Sequence, residues 1–221
     1  MASQIRQLTY AQALEAVQSG GLLVYPTETL YALGGDHARP EVLNRVFRIK
    51  ERPWEKTVPL LVGAVDMVGL VADLAALASS QAALYRRLAQ AFWPGPLAML
   101  LPPGSGLDTR IVGDNGLVAV RVSSHPLAAR MSREAGTALV ATSANVSGKP
   151  PAAEPDQVDR NLLRQCDGFL AGLPRPAGGP PSTLVSLTRE KTARANIVRP
   201  GAVTAHTLAL HGIPLCGECS G

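Results

Sequence analysis

Aromatic side chains are scarce in this sequence, with 3 Phe, 2 Trp and 4 Tyr among 221 residues. A core has to be assembled mainly from Leu, Val, Ile and Ala, and the 46% hydrophobic content suffices for one of good size. Long apolar runs are missing too. Nothing approaches the roughly 20 residues that span a bilayer, and the opening Met-Ala-Ser-Gln-Ile-Arg-Gln lacks a signal-peptide apolar region, so the expected setting is cytoplasmic with no membrane association. Cys166, Cys216 and Cys219 make an odd count in a chain too large to need disulfide staples, which suits a reducing compartment. Cys216 and Cys219, with His206 and His211 upstream, offer four ligands for zinc but no standard finger spacing; residues 211–221 are expected to be a frayed tail instead. Also absent are the phosphate-cradling patterns G-x-x-x-x-G-K-[ST] and G-x-G-x-x-G between strand and helix. A bound nucleotide would have to be held by cationic side chains and hydroxyl-rich loops.

What is present reads as an α/β domain. Residues 11–19 carry apolar side chains at Ala11, Leu14, Ala16 and Val17 before Gly20 and Gly21, the pattern of a helix stopped by glycine. Residues 22–25 follow as a buried strand that Pro26 ends, leaving 27–29 as a polar strand-end loop. Pro40 opens a second helix with Val42, Leu43, Val46 and Phe47 on one face. Residues 58–62, 97–101, 117–122, 138–141, 183–187 and 197–198 read as strands, and 66–77, 79–92, 126–134 and 203–210 as helices. This alternation specifies a layered α/β domain whose sheet is covered on both faces. The Pro- and Gly-rich stretches at 150–151, 174–176 and 178–181 are expected to be loops that shape an opening. No internal repeat or low-complexity tract divides the chain, so residues 1–221 are expected to form a single domain. The net charge of +4 favours phosphate-bearing partners without demanding nucleic acid.

Three segments carry groups suited to chemistry. In Tyr25-Pro-Thr-Glu-Thr-Leu-Tyr-Ala-Leu-Gly34, two hydroxyls and a carboxylate follow a strand end, where ligands of α/β sheets gather; a polar turn capping a following helix fits equally well. Lys50-Glu-Arg-Pro53 and Lys56 place three cations within seven residues. They suit a solvated helix end, or a loop in which Pro53 extends Arg52 so that it and Lys50 reach one phosphate cluster. Ala141-Thr-Ser-Ala-Asn-Val-Ser-Gly-Lys149 is a turn whose small side chains let backbone amides approach an anion, with Ser143 and Asn145 as further donors.

Together these segments resemble the YrdC-like family, whose signatures read approximately P-T-[DE]-T-x-Y-x-L-G, then K-x-R-P, then S-A-N-x-S-G. Trp93-Pro-Gly-Pro-Leu97, Val120-Arg-Val-Ser-Ser-His-Pro126, Ser182-Thr-Leu-Val185 and Arg199-Pro-Gly-Ala202 also look like family segments, in family order, so the resemblance covers residues 8–210. It implies a single YrdC-like domain, a twisted mixed sheet covered by helices with a basic concave groove. It implies a nucleotidyltransferase that joins L-threonine, bicarbonate and ATP into threonylcarbamoyl-AMP, the donor of the threonylcarbamoyl group of tRNA. By the same resemblance, Thr29, Arg121 and Ser182 bind threonine. Lys50, Arg52, Lys56, Ser143, Asn145 and Arg199 bind ATP, with Lys50 and Arg52 as the catalytic cations. A guanidinium at Arg121 suits a carboxylate, although a structural ion pair would also account for a charge inside an apolar strand. The family reaction needs no protein nucleophile: positioning and charge neutralisation suffice, with Mg²⁺ on the nucleotide and no protein ligands assigned to it. Glu28 is a candidate for orienting the amine or a metal-bound water. Expected partners are a transferase that takes the product and, by direct contact, tRNA or double-stranded RNA.

Departures from the common pattern include Ala32 in place of Gly and Glu28 in place of Asp, while Pro151 replaces an often polar residue. The Ala32 departure is shared with a paralogous branch. A related domain in hydrogenase-maturation proteins makes a carbamoyl-adenylate, but the expectation is against that branch, because no zinc-finger or acylphosphatase segment stands before the first motif. A divergent or non-catalytic paralogue that binds RNA or nucleotide is the other alternative. Bulk basicity would serve RNA binding without the ordered Lys50, Arg52, Ser143 and Asn145 set.

Overall fold

The computed structural model describes residues 5–51, 58–146 and 148–217. Helix α1 (Tyr10–Gln18) starts at a reciprocal cap: the Thr9 hydroxyl accepts from the Gln12 amide, and the Gln12 side chain accepts from the Thr9 amide. The hairpin β1 (Leu23–Pro26) and β2 (Tyr31–Gly34) follows. Helix α2 (Pro40–Lys50) opens on proline at its first turn and ends where Glu51 turns left-handed, φ 46°. Strand β3 (Leu60–Val62), helix α3 (Ser79–Phe92), and strands β4 (Leu97–Leu101) and β5 (Val118–Val122) form the middle of the chain. Helix α4 (Pro126–Ala135) again opens on proline and stops at Gly136, φ 67°. The remainder comprises β6 (Leu139–Val140), β7 (Thr142–Ser143), α5 (Arg160–Leu163), β8 (Gly168–Phe169), β9 (Thr183–Leu187), β10 (Ala195–Arg199) and α6 (Ala205–Leu210).

The strands pair into two mixed sheets, ordered β7-β2-β1-β8 and β10-β9-β4-β5-β3-β6. Both contain parallel and antiparallel neighbours: β1 runs parallel to β8 and antiparallel to β2, while β5 runs parallel to β3 and antiparallel to β4. One hydrophobic cluster draws Val24, Tyr31 and Leu33 from the first sheet and Leu60, Met99, Val120 and Val185 from the second. The mixed α/β class is as expected, with two sheets sharing a core where one was anticipated.

Alanine 141 is where the chain leaves one sheet for the other, since β6 pairs with β3 and β7 pairs with β2. The buried Tyr25 hydroxyl ties this seam by donating to the Val140 carbonyl at 2.7 Å. Gly34 makes the approach of the sheets feasible. A Cβ built there would lie 1.6 Å from the Val140 carbonyl oxygen. Gly34→Ala should therefore destabilise the protein by roughly 3 kcal/mol, at the top of the overpacking range; chemical denaturation checks this, and an unchanged midpoint would show that the seam can open.

Other sequence expectations are corrected by tertiary contacts. Residues 66–77 do not form an α-helix; they make two short 3-10 turns, Val65–Leu70 and Leu74–Ala76. Residues 211–217 are not a frayed tail, because Leu215 bridges to Ala195, the Cys216 amide donates to the Ala195 carbonyl, and Ile213 is buried. Cys219 lies outside the described residues. Burial pushes the Cys166 thiol up to about 12, which keeps it protonated at neutral pH.

Candidate functional site

A cavity of about 330 Å³ lies at the seam and takes lining residues from both sheets. One wall is the first motif and its neighbour β7, with Thr27, Thr29, Ala32, Thr142 and Ser143. The opposite wall comes from β4, β5, β9 and β10, with Ala98, Ala119, Arg121, Leu184 and Arg199, and Pro181 and Ser182 form the rim. The period of two explains the second wall. Along β5, Val118, Val120 and Val122 face the main core, so Ala119 and Arg121 face the other way. Ala119 was therefore legible from the same alternation that places Arg121. Ala98 and Leu184 carry no sequence signal of their own, because small apolar residues in an apolar strand look alike on both faces.

Arg121 is 6% exposed. Its Nη1 donates to Glu28 Oε1 at 2.7 Å, and the other carboxylate oxygen accepts from the Ser123 hydroxyl at 2.7 Å. The ion pair anticipated as an alternative is present, and the same arginine still lines the cavity. Thr27 uses its hydroxyl locally, donating to the Leu30 carbonyl at 2.6 Å, which fixes the turn that presents Thr29. The turn is also held from outside: the amides of Ala177 and Gly178 donate to the carbonyls of Glu28 and Thr29 at 3.2 and 2.9 Å.

Arg199 Nη2 donates to the Ser182 carbonyl at 2.9 Å. This contact depends on Gly201, whose Cβ would stand 2.2 Å from the Pro181 carbonyl oxygen. Desolvation, with the nearby Arg121 charge as a second cause, lowers the Arg199 pKa from its ordinary value. Among the described residues, two guanidiniums and no carboxylate line this cavity, an arrangement suited to anions.

Lys50 does not project from a loop. It is the last residue of α2, 3% exposed, and the partners of its ammonium include Ser143 O at 2.6 Å, Asn145 O at 2.7 Å, Asn145 Oδ1 at 2.9 Å and Ser143 Oγ at 3.3 Å. The Ser143 hydroxyl donates to Asn145 Oδ1 at 2.5 Å. Lys50, Ser143 and Asn145 therefore form one knot, of which Ser143 reaches the cavity wall. Asn145 lines a neighbouring hollow of about 480 Å³ with Lys149, Pro151 and Asp159. Arg52 and Lys56 lie outside the described residues. The structure thus gathers Thr29, Arg121, Ser182, Ser143 and Arg199 around one cavity and sets Lys50 behind it.

Among the described residues, no helix is long and apolar enough to cross a membrane, and no group of three or more His, Cys, Asp or Glu converges as a metal site.

The chain is 36% identical over 168 residues to a Stenotrophomonas maltophilia protein named threonylcarbamoyl-AMP synthase, covering 76% of this chain and 88% of that one. A Xanthomonas campestris pv. campestris protein of the same name is 38% identical over 160 residues, covering 72% and 83%. The fold matches P. abyssi Sua5 complexed with L-threonine at a TM-score of 0.80, with 24% identity over 96% of this chain and 61% of that longer one. The Sua5/YciO/YrdC family model, described as telomere recombination, matches residues 15–201, and the chain belongs to that family.

Proposed function

We propose that this protein is an L-threonylcarbamoyladenylate synthase, making threonylcarbamoyl-AMP and pyrophosphate from L-threonine, bicarbonate and ATP for tRNA t6A modification. The observation that carries the reading is Arg121, a guanidinium held in the wall of a cavity that it shares with Thr29 and Ser182. The names of the two bacterial relatives support it.

In this reading the threonine carboxylate accepts from Arg121, a fork that matches it better than an ammonium would. Thr29 and Ser182 meet the amino acid's polar groups, and Ala98, Ala119 and Leu184 supply an apolar surface for its methyl. Arg199 and the knot of Lys50, Ser143 and Asn145 border the phosphates, and the family resemblance assigns Arg52 and Lys56 to the same anion. The threonine nitrogen forms a bond to the bicarbonate carbon as the bicarbonate hydroxyl and an amine proton leave as water, and a carbamate oxygen then attacks the α-phosphorus and displaces pyrophosphate. The chain contributes position and charge neutralisation. Mg²⁺ fits as a passenger of the nucleotide, since among the described residues hydroxyls and guanidiniums rather than carboxylates line the cavity; bound to the triphosphate it would offset oxygen charge. A transferase consumes the product, and tRNA or double-stranded RNA contact belongs to the same proposal. Cytoplasmic localisation follows from it.

Purified protein incubated with ATP, bicarbonate and threonine should form a species of threonylcarbamoyl-AMP mass that requires all three. Replacing threonine by serine should lower kcat/KM by roughly tenfold or more, the value of one methyl in an apolar pocket. Equal turnover of the two amino acids would remove the threonine assignment, and nucleotide binding without turnover would leave the divergent-paralogue alternative.

A further inference from the structure

Glu28 sits beside the cavity without lining it, although it belongs to the motif that forms one wall. Both of its carboxylate oxygens are committed. One takes Nη1 of Arg121 and the other takes the Ser123 hydroxyl, each at 2.7 Å. Ser123 is itself fixed: it is 1% exposed, its oxygen accepts from the His125 amide at 3.2 Å, and its own amide donates to the Val62 carbonyl. Behind it, His125 Nε2 lies 2.8 Å from the Pro174 carbonyl, which can only accept, so this nitrogen carries the proton. Burial lowers the His125 pKa and favours the neutral ring. The Glu28 backbone carbonyl is held as well, by the Ala177 amide.

We infer that Glu28 is a positioning residue, with Ser123 as its support, that pre-aims the Arg121 guanidinium for the amino-acid carboxylate. An arginine side chain has several soft torsions, and fixing them in the empty protein removes an ordering cost from substrate binding. A carboxylate bonded to Nη1 and anchored at its second oxygen holds that prong of the guanidinium in place. With Glu28 committed in this way, its carboxylate is not the group that orients the substrate amine. This inference rests on the proposed function.

The test is steady-state kinetics on Glu28→Gln, Glu28→Asp and Ser123→Ala. Glu28→Gln keeps the size of the side chain and removes its charge; the expected result is a rise in threonine KM by roughly tenfold, with ATP KM and kcat within about twofold of wild type. Glu28→Asp should restore part of the loss, and Ser123→Ala should raise threonine KM by roughly threefold. A fall in kcat at unchanged threonine KM in Glu28→Gln would overturn the inference and return Glu28 to the amine. Unmoved constants in both Glu28→Gln and Ser123→Ala would overturn it as well. Wild-type protein separates the two levels: no product from it sinks the functional reading and this inference together, whereas normal wild-type turnover with unmoved variants sinks only the positioning role.

Discussion

Arg121→Ala should bring L-threonine binding below detection by calorimetry and should also cost about 3–5 kcal/mol of stability. The two effects share a cause. Arg121 and Glu28 are 8% and 12% exposed in their side chains, and removing the cation leaves a largely buried carboxylate with only the Ser123 hydroxyl. Charge-assisted contacts to a substrate carboxylate are worth about 1.5–3 kcal/mol each, so losing a two-pronged grip lowers affinity by roughly a hundredfold or more. Adding Glu28→Gln to Arg121→Ala should recover much of the stability and none of the threonine binding, because it removes the stranded charge without replacing the guanidinium. Threonine affinity preserved in Arg121→Ala would place the amino-acid subsite elsewhere in the cavity.

Lys50→Met should produce the second largest loss, this time on the nucleotide side. Methionine keeps most of the apolar stem but leaves the carbonyls of Ser143 and Asn145 without the ammonium that faces them at 2.6 and 2.7 Å. Each stranded acceptor costs about 1–3 kcal/mol, and for a chain of this length a loss of roughly 3 kcal/mol lowers Tm by about 6–12 °C. The Ser143 and Asn145 segment would lose its anchor to α2, and ATP affinity is expected to fall by roughly ten- to a hundredfold with threonine affinity little changed. Lys50→Arg should not rescue it, since a planar fork cannot point three donors at acceptors gathered around one nitrogen. Thermal denaturation and ATP calorimetry on the two variants check both halves; full ATP affinity in Lys50→Met would show that the knot is structural alone.

Local rules carried much of the architecture. Pro40 and Pro126 stand at helix starts and Gly136 at a helix end because each of those backbone conformations suits one residue type. The segments read as strands at 97–101 and 183–187 became β4 and β9 with the expected bounds. Shorter elements were not readable: β7 and β8 have two residues each, less than a repeat of the alternation that would reveal them. Residues 66–77 looked helical because apolar side chains recur there at helical spacing, which two successive 3-10 turns separated at Val71 to Asp73 imitate. The hydroxyls and charges of the first motif were ambiguous for a different reason. Thr27 closes its own turn ahead of strand β2, where the local reading had it cap a helix, while Glu28 beside it reaches a partner 93 positions away.

By itself, the sequence determined the order of the family segments, the α/β class, the helix boundaries set by proline and glycine, and the face of β5 from which Arg121 projects. Those properties depend on neighbours within a few residues, where steric and hydrogen-bonding preferences are strong. Tertiary structure alone decided that the strands divide into two sheets at Ala141, that Glu28 and Ser123 flank the Arg121 site, that Lys50 turns inward to Ser143 and Asn145, and that residues 211–217 dock on β10. Each is a choice between partners far apart in the chain, and a buried charge takes whichever opposite charge or carbonyl the packed core brings within about 3 Å.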